Sequence, residues 1–235
     1  MNYGDAFSFV FQDNDWLKKL GIAAALGLLA FIVVGYIPLM GWSLEIARRV
    51  INGEDEVLPD WSNFGAYFME GLKAFGIYLI WGAPIWILSL LTSGLGTALG
   101  LMSDGGTGEA FAVGLSIASV CVSLFSVVYG LVMAILLVGA FGILAANGSF
   151  GEALNPANAF KRVKANFGDH ILAMIVALVS LSLATALGVI LCGIGIVIGM
   201  AYGVALMGHL FGQVYRQTEL KGVPVSYTHL RAHET

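Results

Sequence analysis

Four stretches of the chain contain no Asp, Glu, Lys or Arg: Leu20 to Leu44, Ala74 to Ser103, Ala110 to Gly151 and His170 to Tyr215. A helix needs about 20 apolar residues to cross a hydrocarbon layer of about 30 Å. Each stretch is long enough for one crossing, and the last two have the length for two. Lipid offers the backbone no hydrogen-bond partner, so such segments must pair their own N–H and C=O groups as helices. The pattern therefore predicts an all-α fold, a polytopic transmembrane helical bundle of five or six membrane segments. The turn-rich, basic-free run Ser103-Asp-Gly-Gly-Thr-Gly-Glu109 is expected outside, and Cys192-Gly-Ile-Gly195 is a second expected outer turn.

Orientation follows from Lys and Arg alone. Those before Pro224 form four clusters: Lys18 and Lys19; Arg48, Arg49 and Lys73; Lys161, Arg162 and Lys164; Arg216 and Lys221. All four face the cytoplasm if the chain folds as three helical hairpins with the N-terminus inside. The first hairpin is short, because 28 residues separate Lys19 from Arg48, about 21 Å per arm at 1.5 Å per residue. A shallow or re-entrant hairpin turning between Gly27 and Gly35 gives six segments. A single long helix with the N-terminus outside gives five and strands Lys18 and Lys19 on the wrong side. The hairpin is preferred for that reason.

The two longer cytoplasmic connections resemble each other. One runs Arg49-Val-Ile-Asn-Gly53, Leu58-Pro-Asp-Trp61, Phe64, Lys73-Ala-Phe-Gly76; the other runs Ala146-Asn-Gly148, Leu154-Asn-Pro156, Phe160, Lys164-Ala-Asn-Phe-Gly168. Copies on one membrane side make a parallel internal repeat. Each connection is expected to hold an amphipathic interfacial helix. Asp60 would cap the first, with Trp61, Phe64, Phe68, Leu72 and Phe75 as its apolar face. Asn155-Pro156 would start the second, with Phe160, Val163 and Phe167 inward and Lys161, Arg162 and Lys164 toward water or head groups.

Composition agrees with the pattern: 58% of residues are hydrophobic, 11% are charged and the mean hydropathy is +0.87, against roughly 25% charged in soluble domains. A net charge of −4 gives no reason to expect nucleic-acid binding. Cys121 and Cys192 lie in apolar stretches and read as small core residues. No cleavable signal peptide is expected, because the apolar run after Lys19 is too long for a signal core. Gly195, Gly199 and Gly203, then Gly208 and Gly212, are spaced by four, which lets helices approach closely; Gly96 and Gly100 form a lesser version. Ionisable residues within membrane segments are the candidate polar sites. These are His209, expected to pack by hydrogen bonding, and Glu45, expected to pair with Arg49 one turn on. Asp169 and His170 read as an interfacial helix cap, and Glu54, Asp55, Glu56 and Asp60 as a solvated acidic loop. The sequence carries no phosphate-binding glycine loop, no metal-ligand spacing and no nucleophile–base set, so neither catalytic residues nor cofactors are expected.

Several short runs carry a resemblance: Phe7-Ser-Phe9, Asp15-Trp-Leu-Lys-Lys19, Gly53-Glu-Asp-Glu-Val-Leu-Pro-Asp-Trp61, Glu70-Gly-Leu-Lys-Ala74, Gly148-Ser-Phe-Gly-Glu-Ala-Leu-Asn155 and His209-Leu-Phe-Gly-Gln213. Together they resemble domain-of-unknown-function family 4013, a prokaryotic integral membrane family, over most of residues 5 to 217. The family's members often carry a Pro in the middle of the first apolar run; here Pro38 stands nearer its end. The architecture is also similar to the membrane domain that accompanies some glycerophosphodiester phosphodiesterases. The resemblance implies a multi-pass protein of the prokaryotic inner or plasma membrane and supplies no activity. The last eleven residues, Val225-Ser-Tyr-Thr-His-Leu-Arg-Ala-His-Glu-Thr235, resemble a translated sequencing-library adapter. They are expected to be a non-native tail after a single membrane domain spanning residues 1–224.

Two function classes are compatible with this reading. One is a non-enzymatic scaffold, assembly factor or enzyme partner, with the lipid bilayer, another membrane protein or a second copy as its neighbours. The other is a small permease or lipid-handling transporter. The near absence of intramembrane charge favours the first, since coupled transport usually needs such charge.

The charge pattern makes a topological prediction. Ser103→Cys, in a background lacking Cys121 and Cys192, should react with a membrane-impermeant thiol reagent in intact cells. Cysteines at Arg49 and Lys161 should react only after permeabilisation. The reverse pattern would invert the orientation.

Overall fold

The computed structural model describes residues 1–29, 34–102, 107–190 and 194–221. The expected outer turns at 103–106 and 191–193, Cys192 and the tail from Val225 to Thr235 lie outside them. Regular structure among the described residues is helical throughout: α1 (Tyr3–Gln12), α2 (Trp16–Leu29), α3 (Tyr36–Asn52), α4 (Phe64–Met102), α5 (Thr107–Asn147), α6 (Phe150–Leu154), α7 (Pro156–Ala165), α8 (Phe167–Ile190) and α9 (Ile194–Leu220). Four of these helices are long and apolar enough to cross a membrane, over Phe64–Ala98, Val113–Asn147, Phe167–Ala184 and Gly195–Leu220.

The first apolar run forms two helices. α2 has 14 residues and α3 has 17, or about 21 and 25 Å. Pro38 falls in the first turn of α3, where its missing N–H costs no helical bond. The Pro near the end of the run thus marks the start of the second arm.

Two glycines with positive φ end helices at the basic end. Gly53 (φ 70°) closes α3, its N–H donating to Val50 O at 3.2 Å while the Glu54 N–H donates to Arg49 O at 3.0 Å. Gly148 (φ 67°) follows α5, its N–H donating to Leu144 O at 2.9 Å. Both adopt the left-handed conformation that glycine takes without a Cβ penalty. The chain then re-enters helix by different routes. Asn155 Oδ1 accepts from the Ala157 N–H (3.0 Å) with Pro156 in the first turn of α7. The other connection holds no separate interfacial helix: Phe64 to Lys73 is the first part of the 39-residue α4. Asp60 does not cap it, because its carboxylate is turned onto Ser62. Trp61 precedes the helix and stacks on Trp42, ring centroids 5.2 Å apart. The helix runs on because nothing between Phe64 and Gly76 terminates it, and its glycine at position 71 lies where α3 passes.

α3 is the central post, packed against α4 on one side and α9 on the other. The contacts are backbone to backbone. A Cβ added to Gly41 would lie 1.7 Å from Tyr67 O, and one on Gly71 would lie 1.8 Å from Ile37 O. On the α9 side, Cβ atoms on Gly208 and Gly212 would lie 2.3 Å from Ser43 O and 2.7 Å from Ala47 O. Gly199 and Gly203 face α8 instead, against Ala184 and Leu181, and Gly195 is buried. Gly96 has nothing near it.

Away from the basic end the bundle buries little. No residue from Ala83 to Ala98 of α4, or from Val113 to Val132 of α5, is buried. Cys121 is exposed on that part of α5, not in a core. Several serines and threonines there bond back along their own helices, as with Ser93 Oγ to Ser89 O (2.6 Å) and Ser123 Oγ to Ser119 O (2.8 Å). An apolar surface on all sides of a helix, with its hydroxyls paired internally, is what lipid requires.

Gly41→Ala and Gly208→Ala should each destabilise the fold by about 1–3 kcal/mol or more, the cost of overpacking, because backbone stands in the way. Gly96→Ala should be neutral or slightly stabilising. Thermal unfolding of the detergent-solubilised variants reads this directly.

Candidate functional site at the basic end of the bundle

The polar groups gather where the Lys and Arg residues lie, in three assemblies. The first joins α3 to α4. Glu45 accepts from Arg48 Nη1 (2.8 Å) and Arg49 Nε (3.4 Å), Arg48 reaches Glu70 at 3.8 Å, and Lys73 holds Glu70 at 2.7 Å. Glu45 thus pairs with two arginines rather than Arg49 alone. Arg48 Nε also donates to Ala145 O (2.9 Å), and Lys73 Nζ to Gly148 O (3.3 Å), tying in α5. Glu45, Arg48, Arg49 and Glu70 border a polar cavity of about 340 Å³ with Asp60, Ser62 and Tyr67. The Ser62 hydroxyl and N–H hold the Asp60 carboxyl below the ordinary carboxylate range. With a lowered folded-state pKa, its contribution to stability is present above the unfolded value and is lost as pH falls through the folded one.

The second assembly surrounds His209. The ring is 5% exposed, stacks on Phe9 at 4.5 Å and meets Gln213 Nε2 through Nδ1 at 3.2 Å. Gln213 also binds the Asn2 backbone, accepting from its N–H and donating to its O at 2.9 Å each. Histidine and glutamine therefore clamp α1 onto α9. A cleft of about 470 Å³ opens above them, bordered by Asp5, Glu54 and Arg216.

The third assembly is the corner between α7 and α8, where the sequence expectation fails. Phe160 and Phe167 point outward, 58% and 56% exposed, while Arg162 is buried at 7%. Only Val163 faces inward as expected. Arg162 Nη2 donates to Tyr215 Oη at 2.7 Å, and the guanidinium lies 3.8 Å over the Tyr215 ring. His170, 1% exposed, contacts Asn166 O through Nδ1 at 2.8 Å. A carbonyl only accepts, so that nitrogen carries the proton. Asp169 lies 3.6 Å from Lys221. Asp169 and His170 thus brace the corner, and neither makes a helix-capping bond. Arg162 could have been found in the sequence, since Ala159, Arg162, Val163 and Asn166 share one helical stripe.

The interfacial-anchor candidates divide similarly. Phe64 is 44% exposed and Phe68 half-buried on the outer side of α4, whereas Trp61 donates to Lys19 O at 2.9 Å and belongs to the protein interior. Trp42 and Trp81 were not singled out in the sequence, yet both hold loop carbonyls: Trp42 Nε1 donates to Pro59 O and Trp81 Nε1 to Leu154 O, each at 3.0 Å. Above the polar end lies an apolar cavity of about 310 Å³, bordered by Tyr36, Met40, Val138, Met174, Ala177 and Phe211 among others. Among the described residues, no group of three or more His, Cys, Asp or Glu side chains is placed to hold a metal ion.

Four membrane-length apolar helices joined at one polar end define a helical membrane protein. The chain belongs to the family described as protein of unknown function (DUF4013), whose model matches residues 24–196. No curated protein and no solved structure matches it.

Glu45→Gln would leave two guanidinium groups sharing only Glu70 and Glu54. The side chains are 21–32% exposed, so solvent screening limits the loss to about 1 kcal/mol or less. The difference from the parent protein in thermal midpoint should shrink as salt is raised.

Proposed function

We propose that this protein is a non-enzymatic component of the prokaryotic cell membrane, acting as a scaffold, assembly factor or partner for another membrane protein or a second copy of itself. In this reading it has six membrane segments in three hairpins, with the N-terminus and basic connections in the cytoplasm. α2 and α3 form the shallow first hairpin. The matching left-handed glycines, Gly53 and Gly148, favour a parallel repeat of the two connections.

The observation that carries the reading is the bare outer half of the α4–α5 hairpin. It presents apolar surface on every side and buries nothing of its own chain from Ala83 to Ala98 or Val113 to Val132. Such a surface has to be met by lipid or by another membrane protein. Meanwhile the acids and bases of α3 and α4 are spent on one another at the basic end, and His209 is held by Phe9 and Gln213. That arrangement suits a fixed support better than a proton-linked path. The apolar cavity gives a second reading, lipid handling, because its size and lining suit a hydrocarbon chain.

Complementation of a deletion strain separates the readings. His209→Gln keeps a donor and an acceptor but cannot titrate, so it should preserve function from about pH 5 to 8, the range over which histidine ordinarily changes charge. Loss of function with the folded protein still abundant would instead indicate a proton-linked path. Ala177→Phe, which fills the cavity, should also leave a scaffold working; loss with stable protein would favour lipid handling.

A further inference from the structure

The corner between α7 and α8 holds donors that lack acceptors. Arg162 spends Nη2 on Tyr215, but Nη1 is buried without a partner. Among the described residues, no carboxylate lies within ion-pair distance of Arg162. Asn166, 4% exposed, receives Lys221 Nζ on Oδ1 at 2.6 Å, while its Nδ2 is buried and unpartnered. A buried guanidinium without a counter-charge is costly, and so is an unpaired buried amide donor. Two such donors one helical turn apart ask for one negatively charged acceptor.

The surroundings indicate where that acceptor comes from. Lys161 and Lys164 are exposed on α7. Phe160 and Phe167 project from the same corner, each more than half exposed. The local acid, Asp169, is already engaged by Lys221. Exposed aromatics beside clustered bases, where a short helix leads into a membrane-length one, are the composition that meets anionic lipid.

We propose that this corner binds the phosphate of an anionic lipid headgroup, with Arg162 Nη1 and Asn166 Nδ2 donating to its oxygens. Several oxygens on one small group can accept from donors on two side chains, and guanidinium is suited to phosphate geometry. Lys164 and Lys221 add charge, and the acyl chains run along Phe160 and Phe167. The headgroup enters by displacing Lys221, whose side chain is 54% exposed.

The test uses the full chain in detergent, with native mass spectrometry counting retained lipid and thermal unfolding reading stabilisation. Phosphatidylglycerol should be retained over phosphatidylcholine by about fivefold or more, what a single cation near an anionic surface contributes. Arg162→Met keeps the side-chain stem over Tyr215 and should remove that preference. Asn166→Asp gives Arg162 and Lys221 an internal carboxylate; it should fold at least as stably and lose the preference too, so the proposal stays testable if Arg162→Met fails to fold. Lys161→Gln should retain most of it. Wild-type selectivity in folded Asn166→Asp or Arg162→Met would overturn the proposal. So would inorganic phosphate that stabilises as well as phosphatidylglycerol, which would assign the site to a soluble anion.

Discussion

The structure depends on how closely α3 approaches its two neighbours. In a membrane, lipid is as apolar as a leucine, so burial of apolar surface does little to drive helices together. Close van der Waals contact and hydrogen bonds must do that work. α3 achieves the contact with Gly41 and Gly71 against α4, and with Gly208 and Gly212 of α9 against Ser43 and Ala47. Once backbone meets backbone, Ser43 Oγ reaches Val204 O at 3.0 Å. The same approach brings Arg48 beside Glu70 and next to the end of α5. The polar network at the basic end is thus a consequence of the glycine contacts.

The division between a packed end and a bare end follows from the same constraint. Near the loops, water can solvate one side of a charge while protein pairs the other, so ion pairs and tryptophan-to-carbonyl bonds accumulate there. Trp42 and Trp81 each bury an apolar ring while spending their one donor on a loop carbonyl. Between Ala83 and Ala98 of α4 and between Val113 and Val132 of α5 there is no charged residue, and several hydroxyls turn back on their own helices. The bundle is a joined base from which the apolar halves of α4 and α5 project, while α8 and α9 stay in close contact at Gly188 and Gly199.

Much of this was legible in the residues, and the departures have two physical causes. Charge-free stretches placed the long helices, and Gly53, Gly148 and Asn155-Pro156 marked breaks where the backbone turns. Glu45 and Arg49 meet as an i,i+4 pair should. Inward and outward were misjudged on α7. In a water-soluble protein, phenylalanine belongs inside and arginine outside. Here Phe160 and Phe167 face out, which costs little wherever the surroundings include lipid, while Arg162 gains a tyrosine ring and hydroxyl by facing in. The separate helix at Trp61 failed for another reason. Its aromatic spacing is helical, but Trp61 has an alternative partner in Trp42 on α3, which periodicity cannot report.

Histidine illustrates how position alone separates a functional reading from a structural one. An ionisable side chain inside a membrane segment is a functional candidate by default, and His209 met that condition in sequence. Its neighbours change the inference. Phe9 covers one face of the ring, and Gln213 joins Nδ1 to the backbone of Asn2. Each contact fixes α1, a helix of only 10 residues that is too short to hold itself in place. A proton carrier has to exchange partners as it changes charge. Here the ring packs a short helix against a long one, alongside the Tyr202 hydroxyl on Phe7 O and the buried Ala6 and Val10. The polar contacts at this end thus join segments that apolar burial alone does little to join in lipid.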